Sequence, residues 1–376
     1  MALPTENIFL RSPYFVNKTE ADLNYIRIDL RIWNGLLEAD EPLDPTIKLR
    51  STALNGYAYA DIAEFARDYV EVTFSGTQDS SAVFISYELT YILSNGIETT
   101  EPKVFLIGLD GYSTFPEGTN FQFYNDVALS SEEVNVYSDS NANIPVFTKE
   151  LTGWDLESFS NLTSPPSYNS FRSVSVTPLN NEPSSSVNTS DVVKYVDTSY
   201  QSQYADRVVF HFSNAPDEIV YVNYIDCNRY GLTRVYFVNR YGCVQELHLS
   251  GKFEVGIKGS SSKFTRNLLD NGQYSVTRHQ KSILNKNGNI FMSLNTGWLS
   301  EEENDSFIQL VMSEQVWIDV DVSRLGLGWL PKQSSKYTIP VNITSESMNI
   351  KNRLNDKLIN YSFEFEAASD WINNVR

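Results

Sequence analysis

The residues that could do chemistry are few and widely spaced. Two cysteines, Cys227 and Cys243, and three histidines, His211, His248 and His279, are the whole supply of thiol and imidazole ligands. None stands in a CxxC, HxH or HExxH spacing, the patterns that bring two ligands of one segment onto one ion. His211 and His248 fall inside predicted strands and read as ordinary sheet residues. The chain carries 47 acidic residues, but no spaced acidic loop of the EF-hand kind, so no calcium site is expected. Two carboxylate pairs stand two residues apart, Asp319 with Asp321 and Glu364 with Glu366. On a strand that spacing puts both acids on one face, within the roughly 5–9 Å that glycoside hydrolysis uses. Strand alternation already accounts for both pairs, because Val320 and Phe365 between them face inward. No GxSxG elbow marks a nucleophile. VGIKGSSSK (255–263) lacks P-loop spacing, and RLGLGWLP (324–331) departs from the dinucleotide fingerprint. No catalytic, metal or cofactor-binding residue is assigned, no cofactor is expected, and the chain reads as a non-enzyme.

Exposed tryptophan is the other chemistry available, as a sugar platform or an interface anchor. Trp33 alternates outward in its predicted strand. Trp154, Trp298 and Trp329 lie in polar or glycine-rich surroundings. These four are the candidate interface or glycan-contact aromatics, with packing inside their own domain as the simpler reading of each.

The elements that would position such groups are strands and turns. In CNRYGLTRVYFVNRYGC (227–243) the tetrapeptide Asn-Arg-Tyr-Gly occurs twice. Asn and Gly tolerate left-handed backbone, so Asn228, Gly231, Asn239 and Gly242 are assigned to two structural turns flanking one strand, LTRVYFV. The cysteines then sit at opposite ends of that strand, roughly 25 Å apart at the usual rise. A disulfide needs Cα atoms within about 7 Å, so none is expected.

The 376 residues include 22 Tyr and 21 Phe, a composition that favours pleated sheets. NYIRIDLRIW (24–33) alternates Ile26, Ile28, Leu30 and Ile32 with polar neighbours, the signature of a half-buried strand. Strands follow at Val70–Phe74, Val83–Leu93 and Val104–Leu109, with Asn95-Gly96 as a hairpin turn taking two positive φ values. DIAEFARDY (61–69) predicts a short helix with Ile62, Phe65, Ala66 and Tyr69 on one face and a capping box of Asp61 and Glu64. Residues 111–203 are polar and Pro-broken, a loop-rich linker or insertion with short strands such as SVSVT (173–177). Strands resume after a boundary near residue 200. A helix begins near Ser300, capped by Ser300 with Glu303 and carrying Phe307, Leu310 and Val311, and it feeds VWIDVDV. The reading is mainly β: two antiparallel β-sandwich-like domains, 1–110 and 204–376, each with about one short helix, the second near 300–312, joined by the polar middle segment.

A net charge of −18 gives no electrostatic reason to bind nucleic acid or an anionic membrane. The opening MALPTENIFLRSPYF lacks a basic segment and an apolar core of signal length, which predicts synthesis in a cytoplasm.

Several stretches resemble a known group of proteins. They are VYFVNRYGCVQELHLSGK (235–252), the capped helix before VMSEQVWIDV, and YTIPVNITSESMNIKNRLNDKLINYSFEFEAASD (337–370), with IFLRSPYFV (8–16) and NYIRIDLRIWNG (24–35) at the start. Together they are similar to virion structural proteins of tailed phages that infect Bacteroidota, the crAss-like phages among them. The resemblance covers roughly the first 110 and last 150 residues and leaves the middle unmatched. It implies a tail or neck component of the virion, made in the host cytoplasm and assembling as a ring with itself and other virion proteins. It carries over no active-site residues. The alternative is a carbohydrate- or receptor-binding β-sandwich module at a tail tip, with a glycan as partner. Because copies at −18 would repel one another, basic partner surfaces or bound cations are expected at contacts.

Overall fold

The computed structural model describes residues 6–70, 74, 82–122, 128–137, 141–148, 151–158, 172–176, 192–200, 203–204, 206–212, 216–225, 233–298, 303–321, 336–345, 348 and 359–372. Cys227, Asn228, Gly231, Ser300, Val322 and Trp329 lie outside them. The chain is mainly β, with several antiparallel sheets. It divides into two compact units, one of Met1–Asp226, Phe237–Leu247 and Asp305–Ser313, the other of Cys227–Tyr236, His248–Asn304 and Glu314–Arg376.

The first unit opens with β1 (Glu6–Phe9), β2 (Phe15–Thr19), β3 (Leu23–Trp33), β4 (Ile47–Thr52), β5 (Tyr57–Asp61), α1 (Ala63–Arg67), β6 (Ala82–Leu93), β7 (Glu98–Thr100) and β8 (Val104–Leu109). The sheet order is β1-β8-β6-β3-β4 with β7 on β6, and only β1 and β8 run parallel. β3 alternates as its sequence requires. Ile26, Ile28 and Leu30 are fully buried, while Arg27, Asp29 and Arg31 stay partly exposed. β2 pairs with β5, and with α1 they cover this face: Val16, Ala58, Ile62 and Ala66 join Ile28 and Leu89 in one apolar cluster.

The opposite face is covered as well, where Phe84, Ile107 and Leu109 pack with Phe147 and Val193. That corrects the reading of Trp33. Alternation does turn it away from the first core, but into the second: it is 6% exposed and packs 5.9 Å from the Phe84 ring. Its indole N–H donates to the Leu36 carbonyl at 3.0 Å. Trp33 is a core residue and anchors no surface.

α1 forms without the predicted capping box. Ile62 holds the cap position without a side-chain bond. Asp61 Oδ1 instead accepts from the backbone N–H of Ala63 at 3.0 Å and of Tyr14 at 3.1 Å. The helix stops at Arg67, two residues short of Tyr69, which is 40% exposed.

The polar stretch 111–203 supplies β9 (Glu133–Tyr137), β10 (Asn143–Phe147), β11 (Leu151–Ser158), β12 (Arg172–Val176), β13 (Val193–Asp197), β14 (Ser199–Tyr200) and β15 (Gln203–Tyr204). β9, β11 and β12 join β16 (Arg207–Phe212) and β17 (Glu218–Ile225) in a five-stranded sheet, β12-β11-β16-β17-β9, against the β10-β13 pair, while β14 pairs with β15. Val136, Ile144, Val146, Val196, Phe210 and Val220 fill the space between. This sandwich runs across residue 203, where the composition had placed a boundary, because its apolar strands are short and set between polar loops.

The last sheet has seven strands: β18 (Thr233–Val238), β19 (Val244–Leu249), β20 (Phe253–Thr265), β21 (Lys281–Asn295), β22 (Val316–Asp321), β23 (Lys336–Ile343) and β24 (Ser362–Ala367), in the order β19-β18-β22-β23-β24-β21-β20. α2 (Asn304–Met312) precedes β22 and buries Phe307 and Leu310. Ile318, Val320, Phe363 and Phe365 are buried in the strands, on the faces the alternation predicts.

The three Asn-Gly dipeptides on described turns behave differently. Asn55-Gly56 and Asn271-Gly272 take two positive φ values and close two-residue hairpins by reciprocal backbone bonds. At Asn95-Gly96 only Gly96 is positive, and Leu93 bonds Ile97 across a three-residue loop. Asn95 Oδ1 accepts from Ile97 N–H at 3.0 Å, which holds that longer turn.

Candidate functional site

The second Asn-Arg-Tyr-Gly is a turn of the same three-residue kind. Asn239 N–H donates to Cys243 O at 2.9 Å, Gly242 N–H to Asn239 O at 3.0 Å, and Gly242 has φ 79°. It ties distant segments of the first unit together. Arg240 N–H donates to Gln309 Oε1 at 3.0 Å, and Arg240 Nη2 donates to Glu117 Oε1 at 2.7 Å. Glu117 also caps its own short turn, accepting from Thr114 N–H at 2.6 Å. Cys243 is fully buried among apolar side chains, and burial pushes its thiol pKa far up. Such a thiol is neither nucleophile nor ligand.

One carboxylate of each pair, Asp319 and Glu366, is engaged in the sheet. Asp319 accepts from Thr338 Oγ1 at 2.6 Å directly across the strand pair and from Tyr236 OH at 3.2 Å. Glu366 accepts from Asn289 Nδ2 at 2.6 Å, and Glu364 is exposed. His248 is buried in β19.

His211, on β16, does have charged company. Its Nδ1 lies 3.0 Å from Asp217 Oδ1 and its Nε2 lies 3.3 Å from Asp155 Oδ2. Each ring nitrogen faces a different carboxylate, so the three groups do not converge on a point. Among the described residues no cluster of His, Cys, Asp or Glu is placed to hold a metal ion. Only the imidazolium can donate from both nitrogens. Burial opposes that charge, but the hydrogen bonds to Asp217 and Asp155 outweigh it and raise the pKa above its ordinary 6.5. A raised folded-state pKa stabilises the fold fully below the unfolded value and less as pH climbs through the folded one. The stability advantage of the natural protein over a His211→Gln variant is therefore expected to be largest near pH 5 and to shrink by about pH 8. Urea unfolding of both proteins across that range checks it, and a constant difference would refute the charged ring.

Of the four candidate tryptophans, Trp33 is in the core and Trp154 is half-buried against the sandwich cluster. Trp298, 70% exposed, is the surface aromatic among the described three.

A further exposed surface was not among the sequence-derived candidates. β20 and β21 form a hairpin paired from Phe253↔Leu294 to Thr265↔Lys281. β24 pairs only with its base, Phe291–Asn295. At the base the Phe291 ring lies over Gly256, directly opposite, where a Cβ would stand 2.1 Å from the ring. The last described contacts along the shaft are Trp371 N–H to Gly288 O at 2.7 Å and Ile372 N–H to Asn287 Oδ1 at 3.2 Å. Beyond Ser260 the pairing shifts, with Asn285 at φ 49° taking up the extra residue as a bulge. From Lys258 to Lys281 every residue but the half-buried Leu268 is exposed, so both faces of the ribbon are uncovered. Ile257, Leu269, Tyr274, Val276, Ile283 and Leu284 are each more than half exposed on this arm.

The arm also reverses the sign of the chain. Residues 252–286 carry seven basic and two acidic side chains, a net +5 that leaves −23 for the remainder. Arg266 stacks on Phe264 at 5.2 Å. None of Lys258, Lys263, Arg266, Arg278, Lys281 and Lys286 pairs with a carboxylate among the described residues. Near the tip, Arg266, Arg278, His279 and Lys281 surround a cleft of about 570 Å³, with Leu268 and Ile283 in its wall.

No family model matches this chain, and no curated protein matches it. The arm's role therefore rests on its own chemistry. A lone two-stranded ribbon is marginally stable in water, and covering one large apolar side chain contributes about 1.5–3 kcal/mol. Lysines do keep exposed strand edges from pairing at random, but acidic residues protect solubility better and the rest of this chain uses them. The switch to basic residues sets the arm apart from the rest of the chain. A charge count by segment, rather than over the whole chain, would have exposed it in the sequence.

Proposed function

We propose that this chain is a structural subunit that assembles with copies of itself and with other proteins of a larger particle. The resemblance over roughly its first 110 and last 150 residues favours a tail or neck component of a tailed-phage virion. The observation that carries the assembly reading is the arm: a ribbon uncovered on both faces, with apolar side chains and unpaired cations in water. Such a surface gains from a partner and contributes little without one. In the remaining sheets Asp319, Glu366 and His211 are hydrogen-bonded to neighbours and have no assigned catalytic role.

The test is size-exclusion chromatography with light scattering on the purified chain, over a range of protein concentrations at low and at high salt. A discrete oligomer, ring-sized by mass, is expected at one salt condition or both. A monomer at every concentration and salt would overturn the reading and favour a monomeric binding module. Trp298 would then be the residue to examine for glycan contact.

A further inference from the structure

Resting on that assembly reading, we infer that the β20–β21 arm docks on the acidic body of a second copy of this chain. The contact is head to tail, and the tip cleft takes surface carboxylates. The charge distribution selects this partner. An arm at +5 faces a remainder at −23, so the complementary surface is carried by every other copy. The arm cannot satisfy itself. Its acidic residues are Glu254, held by Lys252, and Asp270 at the turn. Arm-to-arm pairing would set six unpaired cations against six more, which disfavours a two-fold contact through the arms. An arm-to-body contact is heterologous, and repeated around an axis it closes a ring.

The tip chemistry agrees. Arg266, Arg278 and Lys281 present fork-shaped and point-like donors around one cleft, and Leu268 and Ile283 give it an apolar wall. Guanidinium forks bind carboxylates in pairs, and the wall fits the methylenes of Glu or a neighbouring apolar side chain. Val276, 88% exposed, and Leu269, 64% exposed, stand beside the cleft in sequence and add apolar area to the contact. A nucleic acid would match the arm's charge but meet repulsion from the rest of the chain.

Two variants test this. One is the triple reversal Arg266→Glu, Arg278→Glu, Lys281→Glu, all on the exposed tip. The other replaces residues 261–286 by a two-residue turn, leaving the body intact. Each is measured by size-exclusion chromatography with light scattering, alone and mixed with the natural chain, from about 50 to about 500 mM salt, a span that shortens the screening length severalfold. The natural oligomer is expected to weaken at least tenfold as salt rises. The triple reversal should be monomeric. The shortened chain should be monomeric alone yet bind the natural chain, because its body still accepts an arm, and so cap the oligomers at smaller size.

An oligomer that survives the reversal, strengthens with salt or ignores the shortened chain overturns the docking while leaving the assembly reading standing. A natural chain that is always monomeric removes both. If it instead binds a 20-base-pair DNA duplex, and the triple reversal abolishes that, the arm's counterpart is a polyanion and not a second copy.

Discussion

Gly242→Ala should destabilise the first unit by several kcal/mol, at the upper end for a single substitution, whereas Gly96→Ala should cost only about 1 kcal/mol. Both glycines sit at the left-handed position of three-residue hairpin loops, with φ 79° and 85°. The intrinsic cost of a Cβ there is the same for both. The surroundings differ. A Cβ on Gly96 would meet nothing within 4 Å, while one on Gly242 would stand 2.6 Å from Asp110 C, 2.7 Å from Asp110 N and 2.8 Å from Gly111 N. All three are backbone atoms, and a backbone cannot rotate out of the way as a side-chain tip can. The chain after β8 and the β18–β19 turn approach this closely because Gly111 is also bare: a Cβ there would lie 2.4 Å from Arg240 O. Tyr112 N–H donates to that same Arg240 carbonyl at 2.8 Å, so relieving the clash would break a bond. Urea unfolding of the two variants beside the natural chain measures the difference. Equal losses would mean that the two loops do not meet as described.

That contrast marks what the sequence could tell and what it could not. Asn239-Arg240-Tyr241-Gly242 read as a turn from residue preferences alone, because a positive φ is a local demand. The close approach to Gly111 is tertiary and left no pattern nearby. Period-two alternation likewise assigned the faces of β3 and β22, including Ile28, Leu30, Ile318 and Val320. It could not say that both faces of the first sheet are covered at Trp33, since periodicity reports opposite sides and not what lies on each. The turn at Asn95-Gly96 was open to the same limit. Its dipeptide permits a two-residue loop, and the bond from Ile97 N–H to Asn95 Oδ1 selects the longer one. The arm failed to stand out because Val255 and Ile257 alternate like any strand. What separates it from a sheet strand is the lack, among the described residues, of a third strand beyond the base, and only the cluster of lysines and arginines hinted at that.

Asn239→Ala should cost roughly 3–5 kcal/mol, because it orphans several buried groups at once, at about 1–3 kcal/mol each. Asn239 is 0% exposed and its amide is saturated. Oδ1 accepts from Tyr241 N–H at 3.0 Å and Cys243 N–H at 3.1 Å. Nδ2 donates to Leu129 O at 2.6 Å and to Gln245 Oε1 at 3.2 Å. Gln245 in turn reaches Ser131 and Ser306, whose hydroxyls bond each other at 2.8 Å. Alanine would remove the Asn239 partner of Tyr241 N–H, Cys243 N–H, Leu129 O and Gln245 Oε1 and let the polar cluster open. Asn239→Asp separates the cluster from mere packing. It preserves shape and both acceptor bonds but loses the donors, so an ionised carboxylate would face the Leu129 carbonyl in a buried site. That disfavours the charge and lifts the folded-state pKa above the unfolded value of about 3.9. The variant should then be most stable below that value and lose stability as pH rises through the folded pKa, while Asn239→Ala should lose about the same amount at every pH. Unfolding curves for both at about pH 4 and pH 7 decide it. An aspartate tolerated equally at both would mean that water reaches this turn and that its hydrogen bonds, not its burial, hold the segments together.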